Sequence, residues 1–285
     1  MTIHDHVRCA AGELAEAGIG GDRAALDAEL LARHVLGWDR ARYLAERRGP
    51  APAGFAVRYG DLVTRRRRRE PAAYIVGTRE FWGLELEVTP DVLIPRPETE
   101  LIVEQTLAAC AGAPPRTIVD VGTGSGCLAV ALACEFEHAR VTATDVSHSA
   151  LTVARRNAAR HGVASRVGFV QTDLLEGVAL EADVIVSNPP YVASLAAPSL
   201  LPDVRDHEPA VALYGGPAGL DVIGRLLAQA ARCLRPAGLL VWEFGYDHED
   251  DIRALIARGG WQLERIGEDL QGIPRVAVVR RAGTV

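Results

Sequence analysis

One short stretch combines residue types that could do chemistry: Ser187-Asn188-Pro189-Pro190-Tyr191-Val192, directly after the apolar run 182–186. The prolines could simply end a strand. Alternatively, the Asn188 side-chain oxygen and the Pro189 carbonyl are two acceptors that could hold both N–H bonds of a planar –NH2 group. Such a nitrogen is a poor nucleophile, so aligning it with a methyl group and favouring its developing positive charge would be the useful chemistry. Pro190 stiffens the loop, and Tyr191 offers a flat face for stacking.

A second candidate is the glycine loop, which follows a short apolar run as Asp120-Val121-Gly122-Thr123-Gly124-Ser125-Gly126. Glycine at alternate positions allows a sharp turn and a close approach of the backbone to a ligand, where a helix N-terminus presents free N–H groups. We therefore predict that the five residues after Val121 bind a cofactor: Gly122, Thr123, Gly124, Ser125 and Gly126. Residues 124–129 also fit the G-x-G-x-x-A form of a dinucleotide fingerprint.

Two aspartates follow the next two predicted strands. Asp145 comes 19 residues after Gly126 and could accept hydrogen bonds from both hydroxyls of a ribose. Asp173 could reach an adenine amino group while Leu174 packs on the ring, although Asp173 could instead cap the following turn. These residues indicate a ribosylated adenine, and they suit NAD and S-adenosyl-L-methionine equally well.

The elements that would position these residues alternate between strand and helix from residue 117 onward. Strands are predicted at 118–121, 141–144, 167–171, 184–186 and 239–244, with helices at 125–135, 147–160, 219–234 and 248–258. This alternation predicts an α/β fold with an open, mostly parallel sheet covered on both faces. Two last strands, 261–266 and 276–280, have no helix between them and should pair antiparallel.

The antiparallel ending distinguishes the two cofactors. It is unlike a dinucleotide-binding Rossmann domain and typical of a class I S-adenosyl-L-methionine-dependent methyltransferase. A hydride-transfer enzyme also has no use for two acceptors around an –NH2 group. The predicted cofactor is therefore S-adenosyl-L-methionine.

Before this domain, residues 1–75 are predicted to form a small all-α domain of about four or five helices that recognises the substrate. Leu26, Leu30 and Leu31 share one helical face. The run Arg65–Arg69 predicts a solvated helix end, with a contact surface for an acidic partner as the alternative. Residues 76–96 predict a β-hairpin linker, and 97–285 the methyltransferase domain.

Several motifs together resemble the HemK/PrmC family, the N5-glutamine methyltransferases of peptide chain release factors. They are the glycine loop, the Asn188–Tyr191 stretch, Phe81-Trp82-Gly83, Ile94-Pro95-Arg96-Pro97-Glu98-Thr99-Glu100, and His207-Glu208-Pro209 with Gly215-Gly216. The resemblance implies that the substrate is the glutamine of the Gly-Gly-Gln loop in release factors. It also implies that Gly122–Gly126, Asp145, Leu174 and Asn188 contact the cofactor, and that Asn188–Tyr191 bind the glutamine.

The amino-acid composition and the distribution of charge exclude or disfavour several other functions. All 31 Lys+Arg residues are arginine, which excludes Walker-type and Schiff-base chemistry. Residues 76–285 hold 18 Arg against 27 acids, net −9, whereas 1–75 hold 13 against 10, net +3. An acidic catalytic half disfavours an N6-adenine DNA methyltransferase, which needs a basic groove. A ribosomal-protein glutamine methyltransferase is a closer alternative, and a non-enzymatic binding module a more distant one.

The cysteines and the hydropathy pattern suggest the environment. Five cysteines without a C-x-x-C pair favour a reduced compartment and no metal site: Cys9, Cys110, Cys127, Cys134 and Cys233. There is neither a long apolar run nor an apolar signal core. We expect a cytoplasmic monomer whose partners are release factors, with no direct nucleic-acid contact and no membrane contact.

Overall fold

The computed structural model describes residues 1–179 and 181–281. The chain forms two compact units: Met1–Thr78 with Leu201–His207, and Arg79–Leu200 with the residues from Glu208 onward. The chain therefore leaves the second unit after Leu200, contributes seven residues to the first unit, and returns at Glu208. Residues 282–285, at the end of the predicted methyltransferase domain, lie outside the described residues.

The helical unit contains α1 (Ile3–Glu16), α2 (Gly21–Leu36), α3 (Arg40–Glu46), α4 (Phe55–Arg67) and α5 (Ala72–Val76), together with a short helix, Pro202–Arg205. A capping box between Thr2 and Asp5 begins α1, and Gly37 in the left-handed region ends α2. The core-facing side of α2 differs from the one expected. Leu26 is 59% exposed, whereas Asp27 is buried beside Ala24, Ala28 and Leu31.

Asp27 is buried because it pairs with an arginine of the Arg65–Arg69 run. The Arg66 side chain is 0% exposed; its Nε donates to Asp27 at 2.7 Å and its Nη2 donates to Asp203 at 2.6 Å. Arg69 also donates to Asp203, at 2.5 Å. The prediction of a fully solvated helix end is therefore wrong for Arg66. Acidic groups do contact the run, but they belong to the same chain and the same unit.

The second unit is built on a seven-stranded sheet with the order β5-β4-β3-β6-β7-β9-β8. The strands are β3 (Thr117–Val121), β4 (Arg140–Asp145), β5 (Val167–Gln171), β6 (Ala182–Ser187), β7 (Leu234–Glu243), β8 (Trp261–Glu268) and β9 (Pro274–Arg281). Neighbouring strands are parallel along the part β5-β4-β3-β6-β7 of this order, and β9 is antiparallel to both β7 and β8. The predicted fold, including its antiparallel ending, is confirmed. A separate hairpin, β1 (Thr78–Phe81) and β2 (Leu84–Glu87), turns at Trp82-Gly83.

Apolar side chains cover both faces of this sheet. One core includes Ile102 and Leu128, which come from helices Glu100–Cys110 and Cys127–Glu135. The other includes Ile223 from helix Asp221–Cys233 and Ile252 from helix Glu249–Arg258. Helix His148–Arg160 follows β4. Among the residues that the structure describes, no helix has the length and apolarity needed to cross a membrane.

The strand order places the candidate site residues at one edge. The order reverses at β3, which lies between β4 and β6, and ligands of open α/β sheets bind at such a switch point beyond the carboxyl ends of the strands. Because β3 to β7 are parallel, their carboxyl ends meet there.

Candidate active site

A cavity of about 330 Å³ lies at this carboxyl edge. Nine of the twelve predicted site residues line it: Gly122, Thr123, Gly124, Ser125, Asp145, Asp173, Leu174, Asn188 and Pro190. The other three are Gly126, Pro189 and Tyr191, which lie next to lining residues in the chain. Residues at or just after the ends of β3, β4, β5 and β6 therefore line one shared cavity.

The glycine loop adopts the left-handed backbone that its sequence suggested. Gly122, Gly124 and Gly126 have φ values of 68°, 54° and 82°. At Gly122 and Gly124 an added Cβ would meet nothing within 4 Å, so the backbone there borders open space that a ligand could fill. Gly126 has a different role: an added Cβ would lie 3.0 Å from the Cβ of Ala154, so this glycine permits close packing of two helices.

A buried aspartate holds the loop in place. Asp120 is 0% exposed, and its Oδ2 accepts from the Thr123 hydroxyl at 2.6 Å and from the Ala129 N–H at 3.0 Å. Burial raises the pKa of Asp120 to about 7. Its other oxygen, Oδ1, is buried and has no hydrogen-bond partner among the described residues. Asp120 was not predicted as a site residue, although it lies just before the glycine loop in an apolar strand.

Asp145 ends β4 beside the glycine loop. Its Oδ2 accepts from the Gly124 N–H at 2.9 Å, and its Oδ1 accepts from the Ser147 N–H at 2.8 Å. Burial raises the pKa of Asp145, although the backbone hydrogen bonds act in the opposite direction. Each carboxylate oxygen can accept more than one hydrogen bond, so capacity for ribose hydroxyls remains. The carboxylate is thus oriented by the same loop that borders the cavity.

Asp173 and Leu174 lie farther along the cavity wall. Asp173 accepts from the Arg225 guanidinium at 2.5 Å, and both side chains are about half exposed. Leu174 has a φ of 54°, and its carbonyl accepts from the Thr144 hydroxyl at 2.9 Å. The ion pair with Arg225, which also lines the cavity, was not foreseen.

The start of the loop that follows β6 is held by hydrogen bonds from the side chains of Ser187 and Asn188. The Ser187 hydroxyl donates to the Val121 carbonyl at 2.8 Å and ties the end of β6 to the end of β3. The Asn188 side-chain nitrogen donates to the Thr99 hydroxyl oxygen at 2.9 Å. Asn188 is part-buried and lines the cavity, whereas Pro189 is buried. The amide is therefore held through its nitrogen, and its oxygen remains as an acceptor.

Thr99 connects Asn188 to a buried carboxylate. Its hydroxyl donates to Glu243 Oε2 at 2.7 Å, and the Tyr191 hydroxyl donates to Glu243 Oε1 at 2.8 Å. Thr99 and Glu243 are 1% and 2% exposed. Burial raises the pKa of Glu243, and burial together with the Glu243 carboxylate raises that of Tyr191. Neither Thr99 nor Glu243 was predicted as a site residue.

Two further motifs from the sequence analysis meet near this network. The Arg96 guanidinium donates to the Glu208 carboxylate at 2.6 Å, and the Ile94 N–H donates to the same carboxylate at 3.2 Å. The end of the predicted linker 76–96 therefore reaches the site, since it carries Ile94 and Arg96 and Thr99 follows three residues later. Gly215 packs directly against the loop after β6: a Cβ at this position would collide with the Pro190 carbonyl oxygen.

Comparison with known proteins identifies the family. Residues 5–77 match the PrmC N-terminal domain, and residues 98–201 match the methyltransferase small domain. The release factor glutamine methyltransferase of Moorella thermoacetica is 41% identical over 286 residues, covering 99% of both chains. The release factor glutamine methyltransferase of Koribacter versatilis is 41% identical over 258 residues, covering 90% of this chain and 91% of the relative. The chain belongs to the release factor glutamine methyltransferase family.

A solved structure supports the fold of this family member. The T. thermophilus 16S rRNA N2 G1207 methyltransferase, in complex with AdoMet and guanosine, matches with a TM-score of 0.52 and 19% identity, covering 73% of this chain and 50% of that chain. At this identity the likeness concerns the fold alone. The chain is thus a methyltransferase with the class I sheet, and its family membership rests on relatives that match it from end to end.

Proposed function

We propose that this enzyme transfers a methyl group from S-adenosyl-L-methionine to the side-chain amide nitrogen (N5) of the glutamine in the Gly-Gly-Gln motif of peptide chain release factors. One observation carries the proposal. Asn188 stands at the cavity with its side-chain nitrogen engaged by Thr99, so its oxygen is the atom left to receive a substrate N–H. The names of the relatives support release factors as the substrates.

The cofactor would lie against the glycine loop. The open space beside Gly122 and Gly124, the oriented carboxylate of Asp145 and the apolar side chain of Leu174 together fit a ribosylated adenine with a flexible tail. S-Adenosyl-L-methionine, when bound, supplies an electrophilic methyl group. Asp145 would accept from the ribose hydroxyls, and Leu174 would pack on the adenine ring. Asp173 shares its carboxylate with Arg225, and its remaining acceptor capacity suits the adenine amino group.

The loop residues would bind the glutamine amide. The Asn188 side-chain oxygen and the Pro189 carbonyl would each accept one of the two N–H bonds, which fixes the plane of the amide and the direction of its nitrogen lone pair. Both acceptors carry partial negative charge, so they favour the positive charge that develops on nitrogen during transfer. Pro190 limits the motion of the loop and Tyr191 buttresses it. No proton has to be removed from the amide before it reacts.

We also propose that the helical unit recognises the protein substrate and takes no part in the chemistry. Residues 1–75 carry a net charge of +3, and arginines such as Arg48 and Arg58 are exposed. Charge reversal of these two residues should raise the KM for intact release factor and leave the KM for a short Gly-Gly-Gln peptide unchanged. A variant that processes intact factor as well as wild type would contradict this role.

Methylation itself is tested by mass spectrometry of the Gly-Gly-Gln peptide after purified release factor is incubated with enzyme and cofactor. We expect one added methyl group on the glutamine. A release factor with Ala in place of that glutamine is the control for the site, and the Asn188→Ala enzyme is the control for contaminating activity. Methylation of a ribosomal protein or of duplex DNA in place of release factor would refute the proposal. Light scattering during gel filtration would test the monomer that we also propose.

A further inference from the structure

The proposed chemistry requires the oxygen of Asn188, and not its nitrogen, to face the substrate. The two ends of a side-chain amide have almost the same shape and exchange places by a half-turn, so packing alone selects between them poorly. With the wrong end forward, Asn188 would present N–H donors to the N–H bonds of the glutamine, and the two amides would repel. The site therefore needs a feature that fixes the orientation.

The chain of hydrogen bonds behind Asn188 has a defined direction. An ionised carboxylate is only an acceptor, so Glu243 obliges Thr99 to donate its single hydroxyl hydrogen, across the 2.7 Å contact. Because the hydroxyl hydrogen of Thr99 is donated to Glu243, the Thr99 oxygen can only accept from Asn188, across the 2.9 Å contact. Asn188 must then offer its nitrogen to Thr99. Its oxygen is turned the other way.

The surroundings make this direction costly to reverse. Glu243 and Thr99 are almost completely buried, so a donor or acceptor left unpaired there carries a full desolvation penalty. Tyr191 donates to the other carboxylate oxygen, which favours the ionised, acceptor-only form of Glu243 and anchors the loop that follows Asn188. The two oxygens of Glu243 thus hold Tyr191, in the substrate loop Asn188–Tyr191, and Thr99, which binds Asn188.

We infer that Glu243 is a positioning residue for methyl transfer: acting through Thr99, it sets the orientation of the Asn188 amide so that the oxygen faces the substrate amide. The inference rests on the proposed function, which requires that acceptor. Glu243 does not touch the reacting atoms in this role, and it transfers no proton.

Protonation of Glu243 would weaken its control over the orientation of the Asn188 amide. The titratable and charged groups that face it are Glu98 beside Thr99, Tyr191 in the substrate loop, Arg275 in β9, and Cys127 at the start of its helix. Burial raises the pKa of Glu243. As the pH falls through this pKa, the protonated carboxyl can donate to Thr99, which is then free to donate to the Asn188 oxygen. We therefore expect kcat to fall on the acid side, with a limb that disappears in Glu243→Gln.

The first experiment compares kcat for a Gly-Gly-Gln substrate in four single variants and one double variant, with Asn188→Ala as the reference for the double variant. Glu243→Gln keeps the volume but can donate, and Thr99→Val keeps the shape without the hydroxyl, so each should lose about 10- to 100-fold in kcat with unchanged cofactor affinity. Thr99→Ser should restore most of the rate lost in Thr99→Val. In an Asn188→Ala background, Glu243→Gln should cause little further loss, because it acts through Asn188. Wild-type kcat in Glu243→Gln, or losses that simply multiply, would overturn the inference.

A second measurement is independent of activity and separates this inference from the proposed function. The Asn188 side-chain NH2 signals in a 15N-edited NMR spectrum are identified by their loss in Asn188→Ala. In wild type one N–H should exchange slowly with solvent, and both signals should shift as Glu243 titrates. Thr99→Val should abolish both effects. If the signals are the same in wild type and Thr99→Val, the orientation chain is refuted whatever the substrate proves to be. If the signals behave as expected but release factor is not methylated, only the proposed function fails.

Discussion

Replacement of Arg66 by Met should destabilise the helical unit by about 3 kcal/mol, because the change removes the buried arginine that Asp27 and Asp203 share. The Arg66 side chain is 0% exposed and joins Asp27 and Asp203 at 2.7 and 2.6 Å. Removal of one partner from a buried ion pair costs about 3–5 kcal/mol. Asp203 keeps Arg69 at 2.5 Å, and Asp27 keeps Arg23 at 4.0 Å. This residual pairing places the estimate at the lower end of the range.

The neighbouring residue provides a matched control. Arg67 is 52% exposed and pairs with Glu13 at 3.4 Å, so Arg67→Met should cost at most about 1 kcal/mol. Hydrogen exchange of backbone amides in α2 and α4, followed by mass spectrometry, reports the free energy of opening of this unit separately from the sheet. Addition of Asp27→Asn to Arg66→Met should recover part of the loss. Equal hydrogen-exchange protection in Arg66→Met and Arg67→Met would refute the conclusion that the buried ion pairs of Arg66 stabilise this unit.

Three further predictions concern the site. Asn188→Asp should be nearly as poor as Asn188→Ala, with kcat down about 10²–10³-fold, since its second oxygen would compete with Glu243 for the one hydrogen of Thr99; an Asp variant with most of the wild-type rate would contradict this. Asp145→Ala should weaken S-adenosyl-L-methionine binding by about 1.5–3 kcal/mol per lost hydrogen bond, and unchanged affinity in a calorimetric titration would remove Asp145 from the site. Burial raises the pKa of Asp120 to about 7, so the stability contributed by its protonated form fades as the pH rises from about 4 through 7. The melting temperature should therefore fall more between about pH 5 and about pH 8 in wild type than in Asp120→Asn, and parallel curves would rule out a protonated Asp120.

The sheet was predictable because its signals are local. A helix follows each of the parallel strands β3, β4, β6 and β7, whereas among the described residues no helix separates β5 from β6 or β8 from β9. Topology then placed the glycine loop, Asp145 and Asn188 at one edge, since the carboxyl ends of parallel strands meet there. None of these steps required knowledge of a distant contact.

The support of the site was harder to predict. Glu243 had a usable signal: it is a single acid after the apolar run 239–242, at the same position in its strand as Asp145 in β4. Thr99 had a weaker one, because the nearby Pro95 and Pro97 favour extended backbone and do not themselves indicate a site residue. Its function depends on a hydrogen bond to a residue 144 positions away. Sequence spacing carries no information about such a pairing.

The same limit explains the error at Leu26. By helical periodicity a leucine is the better candidate for a core face than the aspartate beside it. Asp27 is nevertheless buried, because Arg66 reaches it from 39 residues away and neutralises it. A charged residue becomes acceptable in a core only through its partner, which the local pattern does not reveal.

The contribution of Leu201–His207 to the helical unit sets an order for biosynthesis. Asp203 is synthesised 137 residues after Arg66, when β3 to β6 have already been made. Until then the guanidinium lacks one of its two carboxylates, so the helical unit cannot be completed from residues 1–78 alone. Four of the five parallel strands, β3 to β6, are synthesised before Asp203, whereas β7, β8 and β9 are synthesised after it. A helical unit grafted onto another methyltransferase would for the same reason need a second graft, of the seven residues that complete it.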